Sequence, residues 1–408
     1  MSSKVDASTK PKGLENVGAT CYMNAVLQCF YHVKPLTSEI ITYNSTYNLN
    51  QNMLQQYPMT IAYLDVVKQL SFDKSRAGKP ILFKNVISMN PLFTGVQAND
   101  SKDLILYFLE KIDYELTMHN FISQNKTLYN VIRDYQSMQV FHKNPELQQI
   151  INVFVTNHKS IFSDLFYGFM KQIIECSQCH FEFINYQIFN FIIFPIENVY
   201  NSKKNKNNNY NSPRTQVVNK ASMPPAGKPS YTSNSTYGSW YGQQNTNISL
   251  SRSYNYGAYD NKRSVTLEDC FQNEIEYVNF KGENQIYCNR CKKLLDAKGK
   301  NKIFSTPHVL ILILNRGKAN QFDCDVEFQE NLNISRYVEI EQCPKNFKLI
   351  GVISHFGESG MGGHFIADCK HFDGKWYCFN DGLVTGPNYK YSKQGIPYIL
   401  FYQNADYN

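Results

Sequence analysis

Two short cysteine pairs, Cys176-Ser177-Gln178-Cys179 and Cys288-Asn289-Arg290-Cys291, constrain this chain more than any other feature. Together they supply four thiolates, the set a tetrahedral structural zinc site requires. The pairs stand roughly a hundred residues apart, farther than in a simple zinc ribbon, so a shared ion demands a long excursion and a return. Strand-like sequence flanks both pairs, which suits knuckles at strand tips. Four reduced thiols without metal is the competing reading. A redox role is another, although one CxxC would suffice for it.

Much of that separation is low-complexity sequence. Residues 198–263 are rich in Asn, Ser, Tyr, Gly and Gln, and Pro224, Pro225 and Pro229 interrupt them. The few aliphatic residues there follow no period, so the segment cannot offset its chain entropy and is expected to be a disordered insertion. It also carries the charge. The chain is +7 overall, but residues 200–263 hold nine Lys or Arg and one acid, Asp260, which leaves the remainder near neutral. A basic balance confined to such a segment is weak support for nucleic-acid binding by the folded part.

Elsewhere the chain is patterned for burial, with 42% hydrophobic residues. Helical patterning comes first. Residues 24–33 favour helix, and Leu104, Ile105, Phe108, Leu109, Ile112 and Leu116 share one face of a helix that Asp100 can cap. Strand patterning follows at 181–184, 189–194, 273–280, 309–314, 347–354, 364–369, 376–379 and 398–402. Helices followed by strands predict an α+β fold with an antiparallel-rich sheet. No stretch approaches the ~20 apolar residues of a membrane span. Residues 1–11 form a polar tail without the apolar run of a secretory signal. Eleven cysteines, an odd number spread through a long chain, suit reduced thiols inside the cell. The expectation is a cytoplasmic or nuclear protein, away from membranes and monomeric.

The segment Gly13 to Ala25 carries a candidate nucleophile. Gly18 permits a tight turn just before Cys21, where a helix begins, and a helix N-terminus lowers a thiol pKa. Asn16 is placed to offer an amide N–H to an oxyanion formed at Cys21. A lone cysteine at a helix start is more often a small buried residue. A nucleophile also needs a base. His364 follows a glycine-rich stretch that includes Gly362 and Gly363 and opens a strand, and Asn380 and Asp381 end the next one. That is the order of nucleophile, base and orienting group in thiol proteases.

These segments together resemble the ubiquitin-specific proteases, papain-like cysteine peptidases. Residues 13–25 resemble that family's Cys box, 351–381 its His box, the CxxC pairs its zinc knuckles, and Tyr398 to Tyr402 its terminal strand. The resemblance spans residues 12–403 and implies a catalytic domain with thumb, palm and zinc-tipped β fingers. It implies thiol-dependent hydrolysis at the C-terminal glycine of ubiquitin, with ubiquitin or ubiquitinated proteins as partners. It assigns Cys21 as nucleophile, His364 as base, Asn380 as orienting residue with Asp381 assisting, and Asn16 at the oxyanion. Asp100, Gly362 and Gly363 fall where the family contacts the ubiquitin tail, and the loop over that channel is expected to be mobile. His355 falls on a histidine expected to be structural. Cys176, Cys179, Cys288 and Cys291 fall on the zinc ligands, and catalysis needs no cofactor.

Several positions depart from the family pattern. The usual Gly-Asn-Thr-Cys is Gly18-Ala19-Thr20-Cys21. A glutamine-rich motif is reduced to Ala98-Asn99-Asp100-Ser101-Lys102-Asp103, the aromatic after Arg316 is Gly317, and the aromatic four residues after the base is Asp368. None of these removes a catalytic group. The alternatives are a catalytically weak ubiquitin-binding scaffold and a protease for a ubiquitin-like modifier.

Overall fold

The computed structural model describes the chain except residues 1–7, 48, 96–98, 119–143, 209–262, 318–321, 357–362, 388–394 and 408. The N-terminal half is helical apart from two short strands, β1 (Gly13–Leu14) and β2 (Ala77–Gly78). The helices are α1 (Cys21–Tyr31), α2 (Lys34–Tyr47), α3 (Pro58–Phe72), α4 (Ile81–Ile87), α5 (Ser101–Met118), α6 (Pro145–Asn157) and α7 (Ile161–Phe166). Strands then dominate: β3 (Gly168–Cys176), β4 (Glu182–Phe189), β5 (Ile192–Pro195), β6 (Ser264–Thr266), β7 (Val278–Phe280), β8 (Ile286–Cys288) and β9 (Lys293–Leu295). They continue with β10 (Ala297–Ser305), β11 (Val309–Asn315), β12 (Asp325–Glu327), β13 (Asn331–Asn333), β14 (Asn346–Phe356), β15 (His364–Lys370), β16 (Trp376–Asn380), β17 (Leu383–Thr385) and β18 (Ile396–Asn404). Among these strands lie α8 (Ile196–Asn208) and α9 (Leu267–Glu274).

The main sheet runs β17-β16-β15-β14-β18-β11-β5, with β13 on β14. Its pairs are antiparallel except β11–β5. β11 is buried along almost its whole length, which suits its central aliphatic run. A second sheet, ordered β4-β3-β10-β7, ends at the first cysteine pair, and the two-stranded sheet of β8 and β9 presents the second.

Helix α1 is buried on every side, as befits a helix packed between other helices and the sheet. Phe30 is the hub. Its ring centroid lies 4.9 Å from Phe108 of α5, 5.2 Å from Phe166 of α7 and 5.4 Å from Phe401 of β18. The apolar face expected on α5 is fully buried. Asp100 caps α5, its Oδ1 accepting from Lys102 N at 2.8 Å.

Three expectations need correction. The irregular segment does not start at 198, because α8 continues to Asn208, anchored by buried Ile196 and Val199. The rest of the expected insertion, 209–262, lies outside the described residues. The strand expected at 273–280 is mostly not one. Thr266 and Asp269 form a capping box that starts α9, and only 278–280 are extended. Of the tail expected to be flexible at 1–11, the described part is tied down at Thr9, whose carbonyl accepts from His371 Nε2 at 2.7 Å.

Candidate active site and metal centre

The turn before α1 is left-handed at two successive residues, Gly18 (φ 115°) and Ala19 (φ 48°). Asn16 holds it. Its Oδ1 accepts from the N–H groups of Gly18 (3.2 Å) and Thr20 (3.1 Å) and from the Thr20 hydroxyl (3.3 Å). Cys21 is thereby the first residue of α1 and is 4% exposed. Facing it is β15, whose Phe365 N–H points at the sulfur.

The helix N-terminus does not leave Cys21 with a lowered pKa; the net shift is upward. Burial pushes the thiol up and the Asp381 carboxylate adds to this, while the N–H groups of Phe365, Tyr22 and Cys21 pull the other way. The helix end acts as expected through its N–H groups, but desolvation of the thiolate outweighs it.

His364 opens β15 beside that N–H. Its Nε2 lies 2.6 Å from Asn380 Oδ1, at the end of the neighbouring strand β16. An amide oxygen only accepts, so Nε2 carries the hydrogen, and in the neutral ring Nδ1 then has the lone pair a base needs. Among the described residues no hydrogen bond joins the Cys21 sulfur to His364.

Asp381 does something other than assist His364. It sits at φ 49° just past β16, and its carboxylate accepts from Asn16 Nδ2 (3.0 Å) and Asn24 Nδ2 (2.7 Å). Its carbonyl accepts from Leu14 N at 2.9 Å. A Cβ on Gly13 would meet that carbonyl oxygen at 2.4 Å, so only glycine lets β1 approach so closely. The Asn16 amide spends one hydrogen on Asp381 and has one left for a substrate oxygen.

Asp100 is fixed by Tyr398, whose hydroxyl donates to Oδ2 at 2.9 Å. Gly363 packs so closely on His355 that a Cβ would meet His355 Nε2 at 2.0 Å. Gly362 and the expected loop lie outside the described residues. The His355 ring packs at a tilt against Phe365, with centroids 4.7 Å apart, and burial lowers its pKa, which suits the structural part expected of it. It also lines a cleft of about 1180 Å³ with Arg316, Asp325, Glu327, Phe356 and Pro397. Arg316 is buried and donates to the carbonyls of Leu314, Cys324 and Pro397.

At the other end of the molecule the sulfurs of Cys176, Cys179, Cys288 and Cys291 lie within 4.8 Å of one another. Two knuckles of the same design present them. In each, the residue after the second cysteine is left-handed, His180 (φ 55°) and Lys292 (φ 58°). In each, that residue's N–H donates to the carbonyl of the first cysteine, at 3.0 Å and 2.7 Å. Tetrahedral zinc with Zn–S near 2.3 Å sets its sulfurs about 3.8 Å apart, and Cys179 and Cys288 are already 3.6 Å apart. The donor set fits structural zinc and fills all four positions.

The family model for "Ubiquitin carboxyl-terminal hydrolase" matches residues 12–402. The chain belongs to that family. Among relatives of this hydrolase family domain, ubiquitin carboxyl-terminal hydrolase 21 of Mus musculus is 22% identical over 96% of the chain and 61% of its own length. Ubiquitin carboxyl-terminal hydrolase 10 of Saccharomyces cerevisiae is 22% identical over 92% of the chain and 45% of its own. The chain thus spans about half the length of such relatives. The SAGA DUB module of Ubp8, Sgf11, Sus1 and Sgf73 bound to monoubiquitin has a chain of the same fold. Its TM-score is 0.62 at 19% identity, covering 99% of this chain and 71% of that one. The papain-like fold is therefore present, with helices as thumb, the main sheet as palm and the cysteine-tipped sheet as fingers. Among the described residues no helix is long and apolar enough to cross a membrane.

Two groups in the hydrolase site escaped the sequence reading. Asn24 is buried and bridges Leu14, Glu15 and Asp381. Its polarity inside a mostly apolar helix was the available signal. The Phe365 N–H carries no sequence signal, because every residue but proline has one.

Proposed function

We propose that the chain is a thiol-dependent hydrolase that cleaves isopeptide or peptide bonds at the C-terminal glycine of ubiquitin. The observation that carries this reading is the hydrogen bond of His364 Nε2 to Asn380, made beside the strand N–H that faces Cys21. His364 Nδ1 takes the thiol proton, and the sulfur attacks the glycine carbonyl. Because the resting group is a buried thiol, the base must close on it as substrate binds, as often happens between free and substrate-bound sites. The remaining Asn16 hydrogen and nearby backbone N–H groups stabilise the oxyanion, each donor being worth about 2.7–4 kcal/mol. Asp381 positions Asn16. His364 then gives its proton to the leaving amine, and water attacks the thioester with His364 again as base.

Asp100, Gly362 and Gly363 contact the tail, where a narrow passage admits a Gly-Gly end. Cys176, Cys179, Cys288 and Cys291 would hold zinc, which supplies a cross-link for the fingers and takes no part in the chemistry. The domain acts as a monomer on ubiquitinated proteins in the cytoplasm or nucleus. Ubiquitin carrying a C-terminal electrophile tests the reading. It forms a covalent adduct with the unaltered chain and none with Cys21→Ser. An adduct that survives Cys21→Ser defeats the assignment.

A further inference from the structure

The helix that carries Cys21 packs along the strand that carries His364, and contacts join them at three levels. At the active centre the Phe365 N–H faces Cys21. Farther along, the sulfurs of Cys29 and Cys369 are 3.8 Å apart. At the far end His32, which caps the C-terminus of α1, meets His371, the residue after β15. Both rings are buried, and His32 Nε2 lies 3.0 Å from His371 Nδ1. Hydrolysis as described above leaves these two histidines unused.

Counting hydrogens makes this contact unusual. His32 Nδ1 lies 2.7 Å from the Gln28 carbonyl, and His371 Nε2 lies 2.7 Å from the Thr9 carbonyl. Carbonyls only accept, so both outer nitrogens must carry hydrogen. A neutral imidazole carries one hydrogen. In a neutral pair the two inner nitrogens would both be bare, and two lone pairs would meet at 3.0 Å. One further proton between the rings completes all three hydrogen bonds at once.

We infer that His32 and His371 are positioning residues for the hydrolysis proposed above, on which this role rests. A single shared proton clasps the far end of the nucleophile helix to the far end of the base strand. Asp373, on the turn after β15, is the anion facing both rings, with Lys375 and the Tyr377 hydroxyl of β16 paired to it. Tyr31 packs on His32 from α1, and Phe372 and Phe379 close the remaining sides. The N-terminal strap offers the Thr9 carbonyl. Burial pushes His32 down to about 3, and charge on His371 pushes the same way. Burial also lowers His371, against the Thr9 carbonyl and Asp373. Charge on one ring opposes charge on the other, so the pair titrates as a unit that takes up at most one proton beyond the two hydrogens of its neutral form. A lowered histidine takes up its proton only as pH falls, so the clasp is complete on the acid side and loses its central bond as pH rises.

Two measurements decide the matter. In the full chain labelled with nitrogen-15 at histidine, resonances of the pair are followed between about pH 5 and 8. Three of the four ring nitrogens are protonated at the acid end, and the central proton is lost toward the alkaline end. Two protonated nitrogens throughout would overturn the shared proton. The second measurement is the rate of adduct formation at saturating electrophilic ubiquitin, for His32→Gln, His371→Gln and the double variant. Each single change slows the saturated rate about tenfold or more, because small misplacements of reacting groups cost that much. The half-saturating probe concentration stays the same. The double variant is no slower than either single one, since the two act as one unit. Unchanged saturated rates, or losses that multiply in the double variant, overturn the role. The resonance measurement needs no variant, so a substitution that fails to fold does not shield the idea. If the unaltered chain forms no adduct, the hydrolase reading fails and takes the positioning role with it, while the shared proton is still decided by resonance.

Discussion

Cys21 and Asp381 show how neighbours decide what a side chain can do. Burial holds Cys21 as a thiol, and the carboxylate of Asp381 reinforces it. An acid whose pKa is raised in the fold ionises later than in the unfolded chain. Raising pH through the ordinary thiol value therefore removes stability, and thiolate forms only above that value. Alkylation of Cys21 by iodoacetamide in the free protein should accordingly show a midpoint above that of a simple thiol. Asp381→Asn keeps the shape, removes the charge and should move the midpoint down. A midpoint below the ordinary value in the unaltered protein would show that His364 already holds the thiolate. The local settings of Cys21, His364 and Asn380, a helix start and two strand ends, were legible because each follows a short-range pattern. The partner of Asp381 was not. Its bond to Asn16 joins residues 365 apart, and short-range patterns carry no record of such a contact.

The fingers depend on their cysteine pairs. The four-stranded finger sheet, which carries the first pair, has its own small apolar cluster, Ile174, Phe280 and Ala297, against which Ile286 of β8 packs, too little to order the tip unaided. Metal binding and folding are then linked. Chelation at neutral pH should release one zinc ion per chain, lower the melting temperature and open β8 and β9 to amide exchange. The main sheet should keep its protection. Equal protection of the fingertips with and without chelator would show that the thiols pack without metal. The knuckles were readable from spacing alone. Helix α8 was not, because its Asn- and Lys-rich sequence argues for coil, and what anchors it, buried Ile196 and Val199 with Tyr200 packed beside them, shows only in the fold. The strand expected at 273–280 was misread because apolar Ile275, Tyr277 and Val278 suggested an extended run. The signal that would have corrected it, Thr266 three residues before Asp269, stands upstream of that run.

One core joins the thumb to the palm, and the active centre lies on that seam. Phe30 sits where α1, α5, α7 and β18 meet. Phe30→Ala should cost about 3–5 kcal/mol in chemical denaturation, the usual range for emptying a fully buried aromatic site. It should also lower activity in the fraction that remains folded, because α1 carries Cys21, the proposed nucleophile. A loss below 1 kcal/mol would show that the seam repacks freely. From the order of residues alone one could name the groups that bear chemistry and the local shapes that present them: a sharp turn, a helix start, strand ends and two knuckles. Those follow from steric and hydrogen-bonding preferences that act within a few residues. Which proton each group holds, and which partner orients it, was settled only by folding. Desolvation and hydrogen bonding depend on what surrounds an atom, and here the surroundings come from opposite ends of the chain.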